Sequence, residues 1–323
     1  MTERAYDEDL RALLPLLPTV QDLGSLEAIV AARSERASFV DPPPDRDDVL
    51  KEDRNVPGAA GDPEVPIRIY RPRQPSDGLR PALLEIHGGG FLFGDIEMMD
   101  PWCQQVSAEV DAVVVSVGYR LAPEHPFPAG LEDCYAALCW LSSHAEDLGV
   151  DAARIAVGGQ SAGGGLAAAT ALLARDRSGP SICFQLLEIP ELDDRLDTPS
   201  MKAFDDTPLW NRPNAVWSWR HYLGPDLGPD LGPDASGEVS PYAAPARASD
   251  LSGLPPAYVS TMEFDPLRDE GLIYGMRLLQ SGVSVELHSY AGTFHGSALI
   301  PAAESSRRSQ REVIEVLARR LRA

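Results

Sequence analysis

Short apolar runs and helical stripes alternate along most of this chain. VPIRIY (65–70) alternates in the manner of a half-buried strand, while ALLEI (82–86) and AVVVSV (112–117) are mostly apolar runs of the length of buried strands. Further on, LEDCYAALCWLSSHAEDLG (131–149) predicts a helix, RIAVGG (154–159) a strand, and AGGGLAAATALLARD (162–176) a helix built on small residues. FQLLEIP (184–190) and AYVSTM (257–262) read as strands. RDEGLIYGMRLLQSG (268–282) reads as a helix, VSVELHSY (283–290) as a strand, and the tail from about Glu304 as a last helix. Strands taking turns with helices imply a largely parallel sheet covered on both faces, hence an α/β protein.

Two regions break this rhythm. Residues 6–38 carry a helical stripe (Leu10, Leu13, Leu14, Leu17, then Leu26, Ile29, Val30) interrupted at Pro15 and Pro18. The stretch after it, DPPPDRDDVLKEDR (41–54), is Pro-rich and charged and reads as an exposed connector. The second region, 191–250, places Trp210, Trp217, Trp219 and Tyr222 close together, followed by GPDLGPDLGPD (224–234). Such a turn-forming repeat cannot build a packed core and reads as a surface loop. The aromatic stretch is expected either to join the core or to lie with the N-terminal helices as a lid over the sheet. The chain thus divides into N-terminal helices (1–50), two parts of an α/β core (51–190 and 251–323), and an insertion (191–250).

Composition narrows the function. The 323 residues suffice for one large α/β domain, and 44% of them are hydrophobic, a globular share. With 28 Lys+Arg against 49 Asp+Glu the net charge is −21. Such a surface repels phosphate backbones and anionic lipid, so neither nucleic acid nor membrane is an expected partner. No apolar run approaches a membrane span, and the acidic start MTERAYDEDL lacks the apolar core of a signal peptide. Cys103, Cys134, Cys139 and Cys183 show no CxxC or Cys/His ligand spacing. They read as free thiols of a cytoplasmic protein, with no metal site.

Catalytic chemistry concentrates at two glycine-rich turns. Gly159-Gln160-Ser161-Ala162-Gly163 is a G-x-S-x-G between a strand and a helix, the context a nucleophile on a tight turn requires. Small residues two places either side of Ser161 allow the turn, and the following helix N-terminus favours developing negative charge. His87-Gly88-Gly89-Gly90-Phe91 follows ALLEI directly. Neither GKS/T nor GxGxxG is present there, so it reads as an oxyanion hole and not as a phosphate loop.

A serine hydroxyl needs a base. His87 belongs to the glycine turn, His125 to a proline-bracketed loop, His144 to a helix end and His221 to the aromatic stretch. His288 shares a strand face with Glu286 and is expected to be exposed. His295 alone lies C-terminally on a loop after a strand, as the order Ser, acid, His demands. For the acid, AYVSTM leads into Glu263, Asp265, Asp269 and Glu270. Asp265 precedes Pro266 and also suits a helix N-cap. Asp269 and Glu270 fall within the helix, and Glu263 competes with Asp265.

Taken together, HGGGF, YRLAPEHPFPA (119–129), GGQSAGGGLAA (158–168), DPLRDEG (265–271) and the late HG (295–296) resemble the hormone-sensitive-lipase-like family of α/β-hydrolases. Similarity to its bacterial carboxylesterases of the heroin (acetylmorphine) esterase type runs through most of the chain, with AVGGQSAGGGLAA, LEIPELDDR and GTFHGSAL among the shared stretches. The resemblance implies an α/β-hydrolase fold with a helical cap, built from the N-terminal helices and the 191–250 insertion. It implies Ser161 as nucleophile, Asp265 as acid, His295 as base, and the amides of Gly89, Gly90 and Ala162 as oxyanion donors. Phe91 and Trp210 are candidate substrate contacts. No cofactor is called for, and the expected partner is a small-molecule ester, preferably a short acyl ester of a bulky alcohol. A homo-oligomer is compatible with the sequence. The same fold also serves as a non-enzymatic receptor or a long-chain lipase. One departure stands out: the family usually carries GDSAG, and Gln160 replaces that acid.

Overall fold

The computed structural model describes residues 4–17, 23–37, 45–227 and 238–322. Two helices, α1 (Glu8–Leu13) and α2 (Leu26–Ala37), precede an eight-stranded sheet. Its strands lie in the order β1 (Val49–Val56), β2 (Val65–Pro72), β4 (Val113–Val117), β3 (Arg80–Ile86), β5 (Val150–Gln160), β6 (Phe184–Glu188), β7 (Ala257–Phe264) and β8 (Val285–Phe294). The β1/β2 and β2/β4 pairs are antiparallel and all later pairs are parallel. A mostly parallel sheet with helices to pack on both faces is the α/β architecture that the alternating strands and helices predict.

Period-two alternation divides each strand between two cores. Leu83 and Val114 face α3 (Asp100–Val110) and α9 (Glu304–Leu321) on one side. Leu84, Ile86 and Val115 face α4 (Ala129–Ser143), α5 (Ala162–Asp176) and α8 (Arg268–Gln280) on the other. Each fully buried Leu or Ile contributes about 1.5–3 kcal/mol relative to exposure. Helix α5 is buried along nearly its whole length, which its Gly and Ala residues permit by letting it approach the sheet closely.

The first strand corrects the expected connector. Residues 49–54 do not form an exposed linker but belong to β1, with Val49 and Val56 buried and mostly exposed polar residues between them. A charged run suffices there because an edge strand has one neighbour and faces water, and its charges discourage pairing with another chain. Arg68 of β2 grips Asp53 with two guanidinium nitrogens, at 2.5 and 2.9 Å.

The 191–250 interval contains α6 (Pro199–Ala203) and α7 (Arg212–Leu227), the latter broken at Gly224 (φ 81°). Of the GPD repeat expected to be a surface loop, residues 228–234 lie outside the described residues. Trp219 and Tyr222 of α7 pack on Phe91, with ring centroids 5.6 and 3.8 Å apart. From the N-terminal side Leu23, Ile29 and Ala32 pack with Leu92, Phe93, Ala122 and Trp217. Arg33 of α2 donates to the carbonyls of Leu92 and Ala122, both at 2.8 Å. Both helical segments therefore close on the turn that follows β3. Among the described residues no helix is long and apolar enough to cross a membrane.

Candidate active site

Parallel strands bring the loops after β3, β5, β6, β7 and β8 to one edge of the sheet, where α/β proteins build their sites. The β5–α5 turn is the sharpest of them. Ser161 has φ 57° and ψ −122°, a sparsely populated state for a residue with a side chain, costing on the order of 1–3 kcal/mol. A Cβ at Gly159 or Gly163 would collide with the Ile86 carbonyl oxygen, so the G-x-S-x-G glycines exist to let strand, turn and helix touch. The strain presents the Ser161 hydroxyl at the N-terminus of α5, where the helix field favours negative charge.

Three side chains from separate loops meet there. His295 Nε2 stands 2.9 Å from Ser161 Oγ, and His295 Nδ1 stands 2.8 Å from Asp265 Oδ2. Asp265 is fully buried, while Ser161 and His295 are each 7% exposed. The second oxygen of Asp265 accepts the Leu267 amide at 2.8 Å, so both carboxylate oxygens are oriented. Asp265 is not the expected N-cap: α8 begins at Arg268 and Leu267 precedes it. Asp265 instead closes a tight side-chain turn two residues earlier.

The rival groups are engaged elsewhere. Glu263 accepts the Gly292 amide at 2.6 Å. Asp269 accepts the Ser200 amide, and buried Glu270 accepts the Leu192 amide. His288 is partly buried, not exposed as expected: it stacks on Tyr290 and lies 3.3 Å from Glu312. His221 Nε2 bonds the Leu23 carbonyl, and His144 Nδ1 bonds the Trp140 carbonyl.

The His87–Phe91 turn runs beside the elbow: a Cβ at Gly88 would lie 3.5 Å from that of Ser161. In a trans peptide the N–H points opposite to the C=O, so whatever holds a carbonyl aims the next amide. His87 Nδ1 is 2.8 Å from the Gly88 carbonyl, which sets the plane carrying the Gly89 N–H. The Leu92 and Phe93 amides hold the Gly89 carbonyl at 3.1 and 3.0 Å, which sets the plane carrying the Gly90 N–H. Burial pushes the His87 imidazole down to about 4, so the ring is neutral at pH 7. The carbonyl it meets then requires the proton on Nδ1. Tyr119 stacks on His87 with centroids 4.2 Å apart.

The two candidate substrate contacts occupy different places. Trp210 is 5% exposed, its ring lies 5.8 Å from that of His295, and its edge fills the space a Cβ at Gly90 would need. Phe91 is 2% exposed and its ring stacks on Tyr222, which fastens the turn to α7. Gln160 donates from Nε2 to the buried Glu188 at 3.3 Å. The amide supplies this proton at every pH, whereas a carboxyl in its place could do so only while protonated. Ser218, which donates to the Gly90 carbonyl, and Glu191, whose amide donates to the Ser161 carbonyl, are both buried and carried no sign in the sequence, being a serine in a helix and an acid after a strand.

The fold and this constellation define an α/β-hydrolase. A family model described as alpha/beta hydrolase fold matches residues 83–299. Carboxylesterase NlhH of Mycobacterium tuberculosis is 39% identical over 303 residues, covering 92% of this chain and 91% of that protein. Among solved structures, Bacterial Heroin Esterase superposes with a TM-score of 0.91 at 52% identity, covering 99% of both chains. Esterase LipW from Mycobacterium marinum superposes at 0.82 with 37% identity, covering 98% of this chain and 96% of that one. The chain belongs to the α/β-hydrolase family, in its hormone-sensitive-lipase-like branch.

Proposed function

We propose that this chain hydrolyses short-chain carboxylic esters through a Ser161–His295–Asp265 triad and an acyl-enzyme. The chain is a serine carboxylesterase, and the observation that carries the reading is the unbroken link from the Ser161 hydroxyl through both His295 nitrogens to Asp265.

His295 takes the Ser161 proton as the oxygen attacks the ester carbonyl, and Asp265 stabilises the imidazolium that forms. The amides of Gly89, Gly90 and Ala162 receive the oxyanion; one such donor is worth about 3–4 kcal/mol of barrier. His295 then gives its proton to the departing alcohol, and water repeats the sequence on the acyl-serine. General-base assistance supplies roughly 10²–10⁴-fold.

In this reading α1, α2 and the 191–250 insertion form the cap, and Trp210, standing over Gly90 and His295, limits the space around the reacting carbonyl. A short acyl group beside a larger alcohol suits that restriction, and a solved relative carries the name of heroin, an acetyl ester of such an alcohol. The four unpaired cysteines support a reducing, cytoplasmic setting. A panel of p-nitrophenyl esters of increasing acyl length tests the substrate class. Saturable kinetics with kcat/KM greatest at two to four carbons is expected. A rate that jumps above the solubility limit of long-chain esters would make the protein an interfacial lipase instead.

A further inference from the structure

Two buried groups take no part in the proton path from Ser161 to Asp265. Ser218 of α7 is fully buried and donates its one proton to the Gly90 carbonyl at 2.9 Å. Glu191 follows β6, its amide donating to the Ser161 carbonyl at 3.0 Å. Its side chain is fully buried, and neither carboxyl oxygen has a hydrogen-bond partner. Ser218 is nonetheless near enough to oppose the rise in Glu191 proton affinity that burial causes. The other titratable groups facing it are Tyr119, Tyr222, Asp265 and Glu270. None of these four is a cation that would offset an ionised Glu191.

We propose that Glu191 and Ser218 form a positioning relay for the oxyanion hole: the protonated Glu191 carboxyl donates to Ser218 Oγ, and Ser218 donates to the Gly90 carbonyl. The inference rests on the esterase reading above. Gly90 sits at φ 58°, and a glycine leaves such a state easily unless both flanking peptides are held. The Leu92 and Phe93 amides hold one side, through the Gly89 carbonyl. Ser218 holds the other. A hydroxyl has a single proton and can also accept, so an acid donating to Ser218 keeps that proton on Gly90. Once ionised, Glu191 only accepts. It then draws the Ser218 proton to itself and leaves the Gly90 carbonyl without its donor. Neither residue touches substrate; both act through Gly90.

The burial that isolates Glu191 pushes its carboxyl up to about 8, so the relay is intact at neutral pH and opens above it. Ser218→Ala should lower kcat for p-nitrophenyl acetate about ten- to hundredfold, with KM within about threefold, and should weaken a trifluoromethyl ketone inhibitor by the same factor as kcat/KM. Unchanged kcat and inhibitor affinity would overturn the proposal. Glu191→Gln reads the relay without removing a hydroxyl, since its amide donates to Ser218 at every pH. Wild-type kcat should fall above about pH 8 while that of Glu191→Gln stays level. A decline that persists in Glu191→Gln, or none in the wild type, also overturns the relay, and this arm decides alone if Ser218→Ala does not fold. Loss of the esterase reading is separate: it would appear as wild-type turnover that survives Ser161→Ala.

Discussion

Glu263 accepts the Gly292 amide at 2.6 Å, two residues upstream of an Asp265 whose Oδ2 meets His295 at 2.8 Å. The two acids stand on one strand end, yet only one of them reaches the imidazole. Glu263 ties the end of β7 to the β8 segment that leads into His295, and so acts on the backbone of that loop.

Exchanging each carboxylate for its amide therefore separates the roles. Asp265→Asn should lower kcat by about 10³–10⁴-fold, because the amide no longer fixes the His295 tautomer or stabilises its charge. Glu263→Gln retains an acceptor for Gly292 and should stay within about threefold of wild type. Steady-state kinetics on p-nitrophenyl acetate decide it; the reverse ranking would assign the acid to Glu263.

Gly90 should be intolerant of any side chain. Its φ is 58°, and a Cβ there would run into the Trp210 ring. Gly90→Ala should fold, since the strain of one left-handed residue is only about 1–2 kcal/mol. It should still lose about 10²-fold or more in kcat as the oxyanion amide is displaced. Comparing kcat with the thermal midpoint checks this. Near-normal kcat would mean that the Gly90 amide is not a donor.

Glu188 makes stability depend on pH. Burial raises its carboxyl from 4.5 to about 7, against the opposing hydrogen bond from Gln160. A raised acid favours the folded state below its unfolded value, and that contribution is lost as pH climbs through the folded one, here between about 4.5 and 7. The loss is on the order of 3 kcal/mol. Glu188→Gln should thus melt higher than wild type at about pH 8.5 and within a degree or two of it at about pH 4.5. Equal differences at both values would show that Glu188 is not titrating.

The parts legible in the sequence were those whose physics is local. Buried strands β3 and β4 announce themselves because both faces are covered, and α5 runs from Ala162 to Asp176 as its small-residue run predicts. Ser161 and His87–Phe91 were readable because a tight turn admits few residue types. The edge strand β1 was not, since one neighbour and an open face demand no apolar run. β8 was expected to stop at Tyr290 but reaches Phe294, paired with Phe264 across a bulge, so His295 follows the strand immediately. Helix α3 also went unread, its buried Asp100, Gln104 and Ser107 masking the apolar stripe. Ser218 acquires meaning only once tertiary packing sets it on the Gly90 carbonyl, and Glu191 only once its amide meets the Ser161 carbonyl.

The central claim is that the Ser161 hydroxyl, activated by His295, is the attacking group. Titration with a fluorophosphonate, followed by peptide mass mapping, tests it most directly. A single adduct should appear on the peptide containing Ser161, growing in step with loss of p-nitrophenyl acetate hydrolysis, and should be absent from Ser161→Ala and strongly slowed in His295→Ala. Full hydrolytic activity with Ser161 unlabelled, or an inactivating adduct on another residue, would contradict the account.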